Sequence, residues 1–473
     1  MNPLRLFIIS NLLYVILACY LFFQLDLKVD SLIYALTHFF LATIANTILF
    51  KKIIKNNICL ISSPVYCFLI TSQVYFTSSS LKYFADNSFF FPMFELSKSD
   101  QFLGSLFGFS VIFLILSRLD RSYFVTASKF KEWTENYSKI ILPISIFLLC
   151  VSLIVKVFLV TKGYGSTYSN SIFTKLELRQ RSDAIFLNIN EIVDQFVIIY
   201  FFLLYQINKF NSVTRLSRYI PLLITISFFS YNLIFFKSRL LILFFLLVII
   251  LMIQAFQPRK GILYLGLLLI LLPLSIGMLP LLNWILGREN LMLDSFELLI
   301  QITSYRADLT DFAYAILKKS NFIGLNPDIF LQGILNSVPN IIFPGKDLFV
   351  KDAYTVGLDK IGWQAKTDTS YEIIDYQDSL FSAGSMAFGI VGFLLVPIFY
   401  LKILNYLAKI FGKKSKIGFN PILIFPLITS AFRMELEFSN IFINLRNSIQ
   451  MILISLIFLF FLRLVTKKRI GVD

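Results

Sequence analysis

Apolar runs of membrane length recur along the whole chain, and they constrain its fold more than any other feature. They are about 18 to 22 residues long, enough to cross a hydrocarbon core roughly 30 Å thick, whereas runs of about 10 to 14 would read as buried soluble helices. None carries the short alternating pattern of a membrane barrel, so helices are the expected spans. Charged residues make up 15% of the chain and hydrophobic ones 57%, against about 25% charged in soluble domains. The expected fold class is all-α: a polytopic helical membrane protein with one large external loop containing amphipathic helices.

Placed by apolar length, about twelve spans fall near residues 4–23, 31–50, 58–76, 102–117, 140–160, 189–207, 219–236, 240–256, 262–286, 386–407, 421–438 and 448–465. The ninth reads as broken by Pro273, Gly277 and Pro280. Lys and Arg assign the sides. The basic segments 51–57, 118–139, 208–218, 257–261, 409–419 and 466–470 are expected in the cytoplasm, together with both termini. Segments 77–100, 161–183 and 237–239 are expected outside, as is the short loop between the last two spans. The first run follows a basic residue as a signal peptide would. It is too long and lacks a small-residue cleavage pattern, so it reads as a retained span. No inverted repeat of the transporter kind is found.

The net charge of +15 is accounted for by cytoplasmic loops, so no nucleic-acid partner is expected. Cys19, Cys59, Cys67 and Cys150 lie in apolar segments without metal-type spacing, which gives no disulfide framework or zinc site. His38, the single histidine, lies inside the second span. It reads as a packed or interhelical hydrogen-bonding residue.

One polar interruption divides the chain into a transmembrane bundle (1–286), a large external loop (287–384) and a second bundle (385–473). The loop carries more acidic than basic residues, which places it outside. DSFE (294–297) has the form of a helix N-cap with an acidic third residue. Apolar residues then recur helically through Leu309, Phe312, Ala313, Ile316 and Leu317, with Lys318 and Lys319 where a helix C-terminus favours cations. A second amphipathic stretch is expected over 327–343. Both are expected to lie at the membrane surface. Segment 346–379 is polar and reads as a cap over the site.

Topology does not account for basic residues on the external side. They are Arg179, Arg181, Lys237, Arg239, Arg288, Arg306, Arg433 and Arg446. A ring of arginines near the outer leaflet fits a lipid-linked phosphate or pyrophosphate, which guanidinium binds in a bidentate manner. The alternative is snorkelling to headgroups, or pairing with Glu191, Asp194, Glu435 or Glu437. External carboxylates include Asp308, Asp311, Glu372, Asp375 and Asp378. One of them could deprotonate an acceptor hydroxyl, although acidic residues in a wet loop are usually just solvated.

With these features in view, the chain resembles the bacterial oligosaccharide repeat-unit polymerases, the Wzy class that builds O-antigen and capsule. The resemblance covers the architecture and several local segments. KSRLLILFFLLVIILMI (237–253) is similar to the family's basic-then-apolar segment. YRADLTDFAYAIL (305–317) is followed by a turn and the Pro-containing GILNSVPNIIFPGKD (333–347). SAGSMAFGIVGFLLVPIFY (382–400) resembles the small-residue lead into the span after the loop.

The resemblance implies a membrane glycosyltransferase of the bacterial cytoplasmic membrane. A growing glycan moves from undecaprenyl pyrophosphate to a new lipid-linked repeat unit on the outer face. The pyrophosphate is already a good leaving group, so neither metal nor nucleotide is required. Arg239, Arg306 and Arg433 are expected to contact pyrophosphate or glycan, with Arg179, Arg181, Arg288 and Arg446 next. Asp308 or Glu372 is expected as the base. The implied partners are the lipid-linked oligosaccharide, the bilayer and a chain-length regulator.

Three other readings differ in what they require. An O-antigen ligase shares the architecture, but that family is expected to use a histidine in its large external loop, and this loop has none. A lipid-linked oligosaccharide flippase or other transporter usually has short loops and repeated halves. A membrane scaffold would not need a structured external loop facing several arginines.

Overall fold

The computed structural model describes residues 15–16, 19, 29–84, 96–161, 184–210, 214–236, 239–276, 308–338, 379–413, 424–431 and, in part, 441–460. Among these the chain is almost entirely helical and forms no strand, only one isolated antiparallel bridge between Ile58 and Thr126. The first four long helices are α1 (Val29–Lys55), α2 (Pro64–Ser79), α3 (Lys98–Arg118) and α4 (Ala127–Thr161). Then follow α5 (Ala184–Phe210), α6 (Arg215–Phe236), α7 (Arg239–Phe256) and α8 (Pro258–Ile276). The last are α9 (Asp311–Lys319), α10 (Asp328–Ser337), α11 (Leu380–Lys413) and α12 (Phe425–Ala431). Among the described residues four stretches are long and apolar enough to cross a membrane: Val29–Lys55, Lys98–Arg121, Ile141–Leu159 and Leu380–Gly412.

Burial on α4 has the polarity of a membrane protein. Its exposed face is apolar, with Leu142, Ile146, Leu153, Ile154 and Val157, and Ile154 is 69% exposed. Its inward face holds Ser145, Ser152 and Lys156, all buried. Water would reverse that arrangement, because burying polar groups is costly and exposing apolar area is unfavourable. Lipid tails tolerate it when the inward polar groups find partners. By contrast α2 is central: all of its residues except Tyr75 are buried.

The helices run longer than the apolar runs. Segment 118–139, expected as a loop, is helical from Ala127 and continues into the span, giving a 35-residue helix about 52 Å long. The ninth span is not broken at Pro273, since α8 runs on to Ile276. Segment 77–84, expected in a wet external loop, is instead the buried end of α2 followed by a 3-10 turn at Ser80–Phe84. Ser97 caps α3 reciprocally: its Oγ accepts from the Asp100 N–H at 3.2 Å, and its own N–H donates to Asp100 Oδ2 at 3.0 Å.

Segments expected on the same side of the membrane meet in space. Lys52 pairs with Asp120 at 2.9 Å, and the Cys59 N–H donates to Val125 O at 2.6 Å. Gln254 bridges the chain at Ile58 and Leu60, and the Tyr123 N–H donates to Asn405 Oδ1 at 2.6 Å. At the opposite ends of α1–α3 lie Lys82, Gln101 and the start of α9. His38 joins α1 to that end, with Nε2 2.8 Å from Phe76 O and Nδ1 3.1 Å from Tyr83 Oη. It is the interhelical hydrogen-bonding residue expected.

The α11 stretch is two helices. Gly389, at φ 62°, breaks it after Phe388. The two limbs come so close that a Cβ on Gly392 would fall on the carbonyl of Gly384. The small residues of 382–392 therefore make a tight helical turn, and the limb after Gly389 carries the exposed apolar side chains Val391, Leu395 and Phe399. Segment 321–326, with φ 51° at Asn321 and 65° at Phe322, is stitched to this break. Ile390 N–H donates to Phe322 O at 3.1 Å, and Met386 O accepts from Leu325 N–H at 2.9 Å. The exposed carbonyl of a broken helix thus finds a partner, as backbone away from water requires.

Candidate functional site: a buried charge cluster at the start of α9

Helix α9 forms where the apolar spacing of 309–317 predicted it, with Lys318 and Lys319 in its last turn. It does not lie on the membrane surface. Asp311 to Leu317 are all buried, because α9 is packed between α3 and α11. Two glycines on α3 make the seat. A Cβ on Gly104 would stand 2.9 Å from Tyr314 Cβ, and one on Gly108 would stand 2.8 Å from Thr310 Cγ2. Ser379 Oγ donates to Leu309 O at 2.7 Å from the α11 side. Lys318 Nζ reaches Asp100 Oδ2 at 2.7 Å.

The start of α9 closes on a cation. Lys82 is fully buried, and its Nζ donates to Asp308 Oδ1 at 2.9 Å and to Asp311 Oδ1 at 2.5 Å. Gln101 of α3 hydrogen-bonds Asp311 Oδ2 at 2.6 Å. Asp308 also accepts from Asp311 N–H at 2.7 Å and from Thr310 Oγ1 at 3.1 Å. Both aspartates are buried, 6% and 5% exposed. Two carboxylates thus share one buried lysine.

The environment separates the two acids. Burial alone would raise both, because it penalises the charged form. For Asp308 the charge and hydrogen bond of Lys82 outweigh burial and hold it below the usual carboxylate range. For Asp311 burial and the neighbouring charge of Asp308 win over Lys82 and push it up to about 7. Lys82 is raised, since its two carboxylates outweigh the cost of burying it.

A second buried pair lies inside the helical bundle. Asp194 of α5 accepts from Lys156 Nζ at 2.5 Å and from Ser152 Oγ at 2.7 Å, both on α4. Lys156 Nζ also lies 5.1 Å from the Phe228 ring centroid and 5.7 Å from that of Tyr231, on α6. This pair joins three helices.

Of the residues nominated from sequence, Asp308 lies in the cluster and Arg446 lies elsewhere. Arg446 Nη1 donates to Ser337 O at 2.8 Å, at the end of α10, and its Nε and Nη2 donate to Asn447 Oδ1. Arg239 begins α7. Arg179, Arg181, Arg288, Arg306, Arg433 and Glu372 lie outside the described residues, as does DSFE. Asp194, named as an alternative partner for an external arginine, pairs with Lys156.

Sequence reasoning missed Lys82, Gln101 and Lys156. A lysine inside an apolar run calls for a buried acid, and Lys156 sits in one. The G-x-x-x-G of α3, Gly104 and Gly108, marks a close helix contact. Lys82 follows a serine run and had no comparable signal. Compared with known proteins, the chain matches no family model, no curated protein and no solved structure.

Proposed function

We propose that this chain is a polymerase of lipid-linked oligosaccharide repeat units, with about twelve spans, acting on the outer face of a bacterial cytoplasmic membrane. The observation that supports the reading most is the docking of the large loop's segment 308–319 against the N-terminal bundle through Lys82, Asp308 and Asp311. A reaction between two lipid-linked substrates needs a polar site at the membrane face, and a loop held in the bundle provides one.

In the proposed reaction an acceptor hydroxyl of the new repeat unit attacks the anomeric carbon of the growing glycan. The bond from that carbon to the pyrophosphate oxygen breaks, and the lipid pyrophosphate leaves with the electron pair. Arginines of the outer face, Arg239, Arg306 and Arg433 first, neutralise the charge that develops there. Asp308 has four hydrogen bonds to its carboxylate, so in this reading it positions the loop and Glu372 takes the hydroxyl proton.

The test is a clean deletion, with the surface glycan run on a gel and the lipid-linked pool extracted. The reading predicts collapse of the glycan ladder to a single repeat unit, unrescued by Arg306→Ala although that protein is made. Full-length polymer accumulating on the lipid would identify a ligase instead. A second reading, an ion-coupled lipid-linked oligosaccharide transporter, draws on the buried Lys156–Asp194 pair, because intramembrane ionisable pairs mark ion pathways. It predicts single lipid-linked units trapped on the cytoplasmic face.

A further inference from the structure

We infer that the Lys82–Asp308–Asp311 cluster is a proton-binding site, and that its proton sets how tightly the large loop is held to the bundle. As regulation of the proposed site, this rests on the polymerase reading, while the cluster's chemistry stands on geometry alone.

One lysine facing two ionised aspartates leaves a net negative charge, and all three side chains are at most 7% exposed. A buried uncompensated charge is expensive, and the usual escape is to bind a proton. No other described charge lies on the two carboxylates. From the 3-10 turn they face Lys82 and Tyr83. From α3 they face Gln101, which is neutral, while Asp100 is paired with Lys318 and Lys98 Nζ donates to Lys82 O at 3.2 Å. From α11 they face the lead-in at Ser379 and Ser382, and its first limb, 380–388, has no charged residue. His38 of α1 touches Tyr83.

The proton has a place to sit. In the structure Gln101 Nε2 donates to Asp311 Oδ2 at 2.6 Å, so the carboxamide lies directly on the carboxyl. A carboxamide presents an oxygen as readily as a nitrogen, so a protonated Asp311 can donate to it. Asp308 remains the ionised partner of Lys82.

The sign follows from comparing docked and exposed states. Asp311 is raised in the docked state, to about 7, from its ordinary value near 4. Its contribution to docking is complete below about 4 and is lost as pH rises through about 7. Asp308 is lowered, so its contribution is present above about 4 and is lost as pH falls through its lowered value. Lys82 is raised, so its contribution is lost only in strong alkali. Docking is therefore tightest near pH 4, and between about pH 4 and 7 it weakens by up to about tenfold per pH unit as pH rises.

The test uses the purified full-length protein in nanodiscs without glycan substrate, so failure of the polymerase reading does not affect it. Difference infrared spectra between about pH 5 and about pH 8.5 read the carbonyl stretch of a protonated carboxyl. The wild type shows a band titrating near neutrality. Asp311→Asn and Asp308→Asn both abolish it, because each leaves one acid for one lysine. Lys82→Met moves it to higher pH, because two acids then lack a cation. Thermal stability of the wild type falls from about pH 6 to about pH 8.5, and that of Asp311→Asn does not. A wild type with no such band, or a band unchanged in Asp311→Asn and Asp308→Asn, overturns the inference.

Discussion

The two buried ion clusters differ in how many acids are seen on the lysine. Among the described contacts one acid, Asp194, faces Lys156 inside the helical bundle, with Ser152 and two aromatic rings beside the pair. Lys82 faces two aspartates at the edge of the bundle, beneath the loop. A matched pair is a fixed staple, because removing either partner strands the other. A two-to-one cluster has a charge to spare, so one of its acids can change state without stranding anything.

That contrast makes graded predictions. The largest effect is expected for Asp194→Asn, which leaves Lys156 buried beside a neutral amide. It should cost about 3–5 kcal/mol, and Lys156→Met in the same chain should recover most of it in thermal unfolding of the purified protein. Lys82→Met comes next and should depend on pH. Both aspartates are then unpaired, so the loss is larger at about pH 8.5 than at about pH 5. If Lys82→Met and Asp194→Asn show the same pH dependence, the distinction between the clusters fails.

Gly389→Ala forces a side chain into a conformation (φ 62°, ψ −141°) open essentially to glycine only, with its Cβ falling on Phe322 O, and should cost about 1–3 kcal/mol or more. It should also loosen segment 321–326, read as faster amide exchange at Leu325 and Ile390. The smallest effect is expected for Asp311→Asn. It removes a charge the cluster can spare and keeps the hydrogen-bonding shape, so stability near pH 6 should change by about 1 kcal/mol or less. A larger loss would mean that both aspartates are needed ionised.

The helical membrane architecture was legible because apolar length is a one-dimensional property. Each long helix described here overlaps an expected span, and the ends differ because helical hydrogen bonding continues past the apolar run, as at Ala127. Helix α9 was legible from its period, but its burial was not. A short amphipathic helix looks the same on a membrane as between two helices, and the difference was carried by Gly104 and Gly108, far away in sequence. The site was the least legible part. Asp308 was nominated as an acid in a wet loop, and its partner Lys82 lies 226 residues away. No local pattern encodes a pairing over that distance.

The central claim is that α9 is held between α3 and α11 and closes on Lys82. Gly104→Cys and Tyr314→Cys, in a chain with its four native cysteines replaced, place two sulfurs on Cβ positions 2.9 Å apart on α3 and α9, which the bond must open to the roughly 3.5–4.5 Å of a disulfide. Mild oxidation of membranes should join them in most molecules. The bond should hold the two halves together on a denaturing gel after protease cleavage between residues 104 and 314, and separate them on reduction. Efficient cleavage with no joined product would place α9 away from α3, and the docked loop would be wrong.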